Sequence, residues 1–374
     1  MTNRKKLIDY VKNGGSSFIC SPQIGAGAGF DSRLAGKTWL SQTTFEDTKN
    51  ACSLFDMVPL YNFGLPDLTQ LVPGFKWEGR VTELNGGSRK IYDNTFVTPY
   101  GNLTTQTIED ELKGGVPMKY AASTEEELQI AEKYIDALLE AADFSPITEQ
   151  IKMIRTTVGD DEAIDIQWNL QPYELLGFPS TVDNAIFLME IPKVCVRIMD
   201  KLLKLNEKIL PAVAEGGADF VFLGGPASEM SSPALFEQFQ VPYSKLVTDM
   251  AHKEGLLIYS HVCSPIEPML TMGYYNQMGI DLFETLSEPP VGNVKNIEDA
   301  FNKLNSEICT RGNIGLDCLL NEEPEQIKER CFEILTVAKK MGRKHIMAAS
   351  DYLFYDTRIE NVIAMCEAVR EFNN

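Results

Sequence analysis

The chain is short of positive charge. Its 374 residues include 34 Lys and Arg against 53 Asp and Glu, a formal net charge of −19. Such a surface repels phosphate backbones, and no basic stripe offsets it. Nucleic acid is therefore excluded as a partner, and an anionic membrane is disfavoured. Long apolar runs are missing too. No uninterrupted stretch reaches the roughly 20 residues that a membrane-spanning helix requires. The opening residues, Met1-Thr2-Asn3-Arg4-Lys5-Lys6-Leu7, run into polar sequence without the apolar centre of a signal peptide. The eight cysteines are Cys20, Cys52, Cys195, Cys263, Cys309, Cys318, Cys331 and Cys366. They include no CxxC and follow no disulfide-framework spacing. A reducing, cytoplasmic compartment is expected, with thiols that are free, buried or metal-bound. Low-complexity tracts are absent, and a hydrophobic share of 44% with 23% charged residues is ordinary for a folded soluble chain.

What is present is an alternation of strand-like and helix-like segments. Short apolar runs occur at 17–20, 57–61, 163–168, 217–225, 255–261, 280–286, 307–313 and 344–349. Amphipathic helical patterns separate most of them. Ser123-Thr124-Glu125-Glu126 reads as a capping box ahead of Leu128, Ala131, Ile135 and Leu138 at helical spacing. Pro192 divides a long helical pattern from Val182 to Ala214 into two. Ser232-Pro233 supplies an N-cap followed by a first-turn proline. Strands alternating with helices specify a parallel α/β sheet, and eight of them fit a closed (β/α)8 TIM barrel better than an open sheet. The rhythm breaks near residues 75–118, which read as a meander of short strands with turns at Asn85-Gly86-Gly87 and Pro99-Tyr100-Gly101. The expectation is one barrel domain over residues 1–374, with a small β-rich cap inserted beside its mouth.

The sharpest chemical feature is His261-Val262-Cys263. At the carboxyl end of a strand, residues two apart point the same way, into the region where barrel enzymes place their sites. Imidazole nitrogen and thiolate sulfur are preferred zinc ligands. A buried core His beside a buried Cys has the same signature. Asp351, just past the last strand, would face the same mouth, although Asp also favours N-caps and loops. Cys318 and Cys309 are alternative third ligands; Cys318 lies past its strand end, whereas Cys309 sits inside one. Glu229 and Glu284 lie near strand ends and are candidate catalytic acids, ligands or substrate contacts, with a solvated carboxylate as the plainer reading. Trp168 and Tyr61 are candidate substrate-pocket aromatics, though single aromatics also serve the core. Gly25-Ala26-Gly27-Ala28-Gly29 does not match a dinucleotide fingerprint, because Phe30 stands where the last glycine would be.

Several segments occur in a recognisable order. They are Gly216-Gly217-Ala218-Asp219, Met230-Ser231-Ser232-Pro233-Ala234-Leu235-Phe236 with Pro242-Tyr243, His252-Lys253-Glu254-Gly255 and His261-Val262-Cys263. Gly279-Ile280-Asp281, Arg311-Gly312-Asn313-Ile314 and Thr357-Arg358-Ile359-Glu360-Asn361-Val362 follow, and Thr98-Pro99-Tyr100-Gly101-Asn102-Leu103 lies upstream. Over roughly residues 90–370 the series resembles the uroporphyrinogen-decarboxylase superfamily, specifically its cobamide-linked zinc methyltransferase branch. The resemblance implies a zinc ion held by a His-x-Cys pair, here His261 and Cys263, and by a later Cys whose position corresponds to Asp351. Replacing that thiolate with a carboxylate leaves a harder site and a stronger Lewis acid. Such a site favours an oxygen-bound methyl group over a thiol. Ser264 is a second departure, where the branch usually has Gly.

The resemblance further implies a small methylated donor, such as an aromatic methyl ether, and a cobalamin-type corrinoid supplied by a partner protein, since no corrinoid module is visible in the chain. It also implies a homodimer. Two other readings stay open. One is a metal-free decarboxylase, which fits poorly because the loop from Gln23 to Leu34 offers only Arg33 where that branch has an arginine-rich clamp. The other is a non-catalytic barrel that binds a corrinoid or another ligand.

Overall fold

The structure, a computed structural model, describes residues 1–25, 27–39, 43–110, 114–224 and 231–374. Among these residues the chain forms two sheets. Eight parallel strands make the larger one: β1 (Ile19–Cys20), β2 (Leu60–Gly64), β7 (Ala163–Trp168), β8 (Phe220–Gly224), β9 (Leu257–His261), β10 (Leu282–Glu284), β11 (Cys309–Ile314) and β12 (His345–Ala349). Their order is β1-β12-β11-β10-β9-β8-β7-β2, so neighbours in sequence are neighbours in space and the first strand meets the last. The sheet curls until its two edges meet. One backbone hydrogen bond, from the Val58 N–H to the Cys20 carbonyl at 2.8 Å, joins β1 to the residues ahead of β2. The expected barrel is thus matched in strand number, direction and order, while its seam is a single bond and not a ladder.

Strand alternation divides this sheet chemically. In β7, Asp165 and Gln167 share the concave face, and Ile164, Ile166 and Trp168 face the helices. Register carries that parity around the sheet: Asn62 pairs with Asp165, Phe222 with Tyr259, and His261 with both Gly224 and Glu284. The amino end of the concave face is apolar. Leu60, Ala163, Phe220, Leu257, Leu282, Cys309 and Ile346 form a floor with Leu7, Tyr10 and Val11 of the Asn3–Asn13 helix. Leu7, Tyr10 and Val11 lie at i, i+3 and i+4, one stripe of that helix, which plugs the bottom of the curled sheet. The Tyr10 hydroxyl donates to the His345 carbonyl at 2.9 Å. The carboxyl end is where polar side chains collect.

The second sheet is a four-stranded antiparallel meander of β3 (Lys76–Leu84), β4 (Arg89–Thr98), β5 (Gly101–Asp110) and β6 (Gly114–Lys119). It occupies the stretch where the strand–helix rhythm breaks. Phe96 packs edge-on against Tyr134 and Phe178, with ring centroids 4.9 and 5.6 Å apart. A cavity lined by Leu65, Trp77, Asn169 and Phe178 places this sheet next to the carboxyl ends of β2 and β7.

Local signals translate with small shifts. The capping box sits one residue later than expected: Thr124 is the N-cap and Glu127 the reciprocating carboxylate, which also takes the Ser123 N–H at 2.8 Å. Pro192 starts a new helix, Pro192–Glu215, after Thr181–Glu190. Ser232 caps its helix through the Leu235 N–H at 3.2 Å.

Candidate metal centre

β9 ends at His261, and the chain turns outward so that Cys263 stands at the rim. β12 ends at Ala349, and Asp351 follows on the neighbouring rim. These two strand ends bring one nitrogen, one sulfur and one carboxylate oxygen together, from His261, Cys263 and Asp351, all within 4.8 Å of one another. The His261 Nε2 atom is 3.5 Å from Asp351 Oδ1. That oxygen also accepts the Tyr352 N–H at 2.7 Å, which fixes the carboxylate.

A buried polar network supports this group. His261 Nδ1 lies 3.1 Å from Glu284 Oε1, on the adjacent strand and in register with it. Glu284 is fully buried. Arg311 of β11 grips it with two bonds, Nε to Oε2 and Nη2 to Oε1, the latter at 2.8 Å. Gln23, just past β1, donates to Oε2 at 2.7 Å. The Arg311 guanidinium also stacks 4.9 Å from the centre of the Tyr259 ring. Deeper in the curl, the Asn62 amide donates to buried Asp165 at 3.0 Å. Glu284 and Arg311 pair with each other, as burial demands, whereas Asp165 has only the Asn62 amide and one oxygen without a partner.

The protonation states follow from this packing. Burial lowers His261 to about 4, with Arg311 working in the same direction and Asp351 opposing. The ring is neutral at physiological pH, the form that binds metals. Loss of hydration pushes the Cys263 thiol up to about 12, and the Asp351 carboxylate adds to the shift. Burial lifts Glu284 to about 7 against the pull of Arg311. Burial also raises Asp165 well above the usual carboxylate range.

The remaining sequence candidates fall elsewhere. Cys318 lies on the Leu316–Asn321 helix, beside Glu322 and Arg330, and is not among the clustered ligands. Cys309 belongs to the apolar floor. Glu284 is at the site, fully buried and enclosed by Arg311, Gln23 and His261. Glu229 lies outside the described residues. Trp168 lines a small cavity with Gly64 and Gly224, but neither Trp168 nor Tyr61 is among the clustered ligands. The Trp168 indole donates to Asn206 Oδ1 on the Pro192–Glu215 helix at 2.7 Å, and Tyr61 packs edge-on against Phe45 at 5.1 Å. Both stand on the outer parity of their strands, opposite Asp165 and Asn62.

Sequence reasoning missed Arg311, Gln23, Asn62 and Asp165. A signal existed for two of them: Asp165 and Arg311 interrupt strands that are otherwise apolar or small, and an ionisable residue in the middle of a barrel strand must have a buried partner.

Comparison with known proteins converges on one family. A sequence model described as Uroporphyrinogen decarboxylase (URO-D) matches residues 168–372, more than half of the chain. The uroporphyrinogen decarboxylase of Prochlorococcus marinus (strain MIT 9211) is 25% identical over 239 residues, covering 61% of this chain and 64% of the relative. That of Coxiella burnetii (strain Dugway 5J108-111) is 25% identical over 215 residues, covering 55% of this chain and 56% of the relative. The match therefore spans less than two thirds of either relative. Among solved structures, a methyltransferase from Methanosarcina mazei superposes with a TM-score of 0.65 at 17% identity, covering 100% of both chains. At that identity the likeness speaks for the fold. The matched stretch contains β8 to β12, the strands that carry His261, Glu284, Arg311 and Asp351, and it places this chain in the uroporphyrinogen decarboxylase (URO-D) family.

Proposed function

We propose that this protein is a zinc-dependent methyltransferase that moves a methyl group between a small methylated donor, such as an aromatic methyl ether, and the corrinoid of a separate protein. The observation that carries this reading is the meeting of His261, Cys263 and Asp351 at one rim. The donor set fits zinc: borderline nitrogen, soft sulfur and hard oxygen, three protein ligands, and a mouth left open for a fourth. The carboxylate on the far nitrogen of His261 is the usual outer partner of a metal-bound imidazole. Zinc held there would supply Lewis acidity to the oxygen or sulfur that the methyl group leaves.

The chain's own residues have separate tasks in this reading. Glu284 holds the His261 ring so that Nε2 faces Asp351. Arg311 and Gln23 hold Glu284. The antiparallel sheet would cover the mouth beside β2 and β7. A single barrel domain, a cytoplasmic location and a homodimer complete the proposal. The Methanosarcina mazei neighbour supports it at the level of fold.

Two measurements test it. Elemental analysis of the purified protein should find one zinc per chain, lost in His261→Ala. A methyl-transfer assay with cob(I)alamin and a panel of methoxylated aromatics, methylamines and thiols should then find a donor. Absence of stoichiometric zinc, or zinc that survives His261→Ala, would sink the reading. The curated relatives bear the name of a decarboxylase, which makes a metal-free decarboxylase the second reading. Two cations argue against it. Arg33 donates to the Tyr355 and Thr357 carbonyls at 2.9 and 3.0 Å, and Arg311 is committed to Glu284, so neither is free to clamp substrate carboxylates.

A further inference from the structure

Beside the candidate metal centre lies a cavity of about 300 Å³, whose lining includes Gly64, Gln167, Trp168, Asn169, Glu174 and Gly224. Gly224 of β8 pairs in register with His261 of β9, so the cavity begins one strand away, about 4.8 Å across the sheet. Its volume sits at the lower bound of the roughly 300–1,000 Å³ typical of small-molecule pockets. A compound with one ring fits it.

The lining carries two amides, Gln167 and Asn169, and one carboxylate, Glu174. Among the described residues, the Glu174 carboxylate has no hydrogen bond and no salt bridge, and loss of hydration alone lifts it to about 7. It reaches over Gly224: a Cβ built on that glycine would lie 2.9 Å from Glu174 Oε1. Gln171 Oε1 would lie 3.9 Å from the same point. Gln171 is fully buried, and this oxygen has no partner, because its amide nitrogen is spent on Ser244 at 3.2 Å. Two acceptors thus converge over a glycine with no donor between them. No Lys or Arg lines the cavity. The buried, unpartnered Gln171 oxygen costs roughly 1–3 kcal/mol unless a ligand supplies the missing donor, whereas the half-buried Glu174 carboxylate keeps some contact with solvent. The segment that presents Glu174 is also strained: Leu175 and Leu176, the next two residues, have φ of 48° and 67°. Non-glycine residues held there cluster at binding and catalytic sites.

We infer that this cavity holds the non-reacting end of the methyl donor and that Glu174 selects donors whose end group gives a hydrogen bond, a hydroxyl or an ammonium, over donors that end in a carboxylate. The inference rests on the proposed site at His261, since it takes the donor's methyl-bearing end to lie there. Hydroxyl and ammonium share the chemistry that the two acceptors lack. Above pH 7, where Glu174 is ionised, a carboxylate would face it as a like charge with no cation in the lining to offset it.

Calorimetric titration of the zinc-loaded protein, without any corrinoid, tests the inference with three probes: 3-methoxyphenol, 3-methoxybenzylamine and 3-methoxybenzoate. The phenol or the amine should bind at least tenfold more tightly than the benzoate. Glu174→Gln should shrink the gap between amine and benzoate by tenfold or more, with zinc content and melting temperature unchanged. Gly224→Ala, which crowds the carboxylate, should weaken the favoured probe. Benzoate binding equal to the others overturns the inference, as does a gap unchanged in Glu174→Gln or no binding by any probe. Glu174-dependent binding without methyl transfer to cob(I)alamin would keep Glu174 as the selecting residue of this cavity and sink the methyltransferase reading.

Discussion

The imidazole of His261 is held from behind: its Nδ1 lies 3.1 Å from Glu284 Oε1, while its Nε2 faces Asp351. Because the two residues are register partners on β9 and β10, the backbone ladder sets the ring's direction before any ligand arrives. Glu284 in turn depends on Arg311, which is almost fully buried.

Replacing Glu284 with Gln should therefore separate metal affinity from mere folding. The amide keeps one oxygen but sets an NH2 group against Arg311 or His261. Zinc affinity should fall about 10–100-fold, the usual effect of losing an outer partner. Stability should fall by roughly 3–5 kcal/mol, because the Arg311 charge remains buried without its counter-charge. Chelator competition reads the first, and urea unfolding reads the second. A Glu284→Gln protein with unchanged zinc affinity would show that the His261 contact has no orienting role.

Asp351 allows a sharper test of the ligand set. Asp351→Cys places a thiolate where the resemblance to zinc methyltransferases implies one, so zinc should be retained. Asp351→Ala should lose it. The cysteine variant should move activity from oxygen-bound toward thiol chemistry, since a softer site is a weaker Lewis acid. Metal analysis of both variants decides the ligand question, and equal zinc in both would remove Asp351 from the site.

Trp168 should matter chiefly for packing, although its ring also borders the cavity beside Gly224. Trp168→Phe leaves Asn206 Oδ1 buried without its donor, for a loss of roughly 1–3 kcal/mol in unfolding free energy. The variant keeps a ring at the cavity wall, so ligand binding should be unchanged. A large change in donor affinity at full stability would show that the indole itself contacts the donor.

That case also shows what the sequence could and could not carry. The eight strands were legible, because short apolar runs between amphipathic helical segments leave few other arrangements; Ala163–Trp168 was found to the residue. His261, Cys263 and Asp351 were legible as rim residues from their place at strand ends. Facing was not. A strand's parity tells which residues lie together but not which set points inward, and both faces of a parallel sheet are apolar. The inward parity belonged to Asp165 and Asn62, not to Trp168 and Tyr61, although Trp168 still borders a cavity at its strand end. Glu174 was hidden for another reason: a 3-10 turn, Pro172–Gly177, has no period to read, and its carboxylate acquires meaning only over Gly224.

Some family-like segments serve architecture instead of chemistry, and one makes a pH prediction. His252 Nε2 lies 2.7 Å from Asp281 Oδ2, which also accepts the Ile258 N–H at 2.7 Å. The contact ties the last turn of the Val241–Lys253 helix to the entry of β10. The Asp281 hydrogen bond raises His252 above its ordinary 6.5, with Asp249 adding, and burial and Lys245 opposing. A raised folded-state value means that protonated His252 stabilises the fold below about 6.5, and that this contribution fades as pH climbs through the folded value. The side chain is 38% exposed, so solvent screening keeps the effect to about 1 kcal/mol or less. Urea midpoints at about pH 6 and about pH 8 should fall further in the wild type than in His252→Gln. Glu284 and Glu174, both lifted to about 7, titrate in the same window, but they do so in both proteins, and the difference removes them. His261 and His345, lowered by burial to about 4 and about 3, are neutral in the fold and titrate only in the unfolded chain, equally in both proteins. Identical pH dependence in the two proteins would show that the Asp281 contact does not hold a proton on His252.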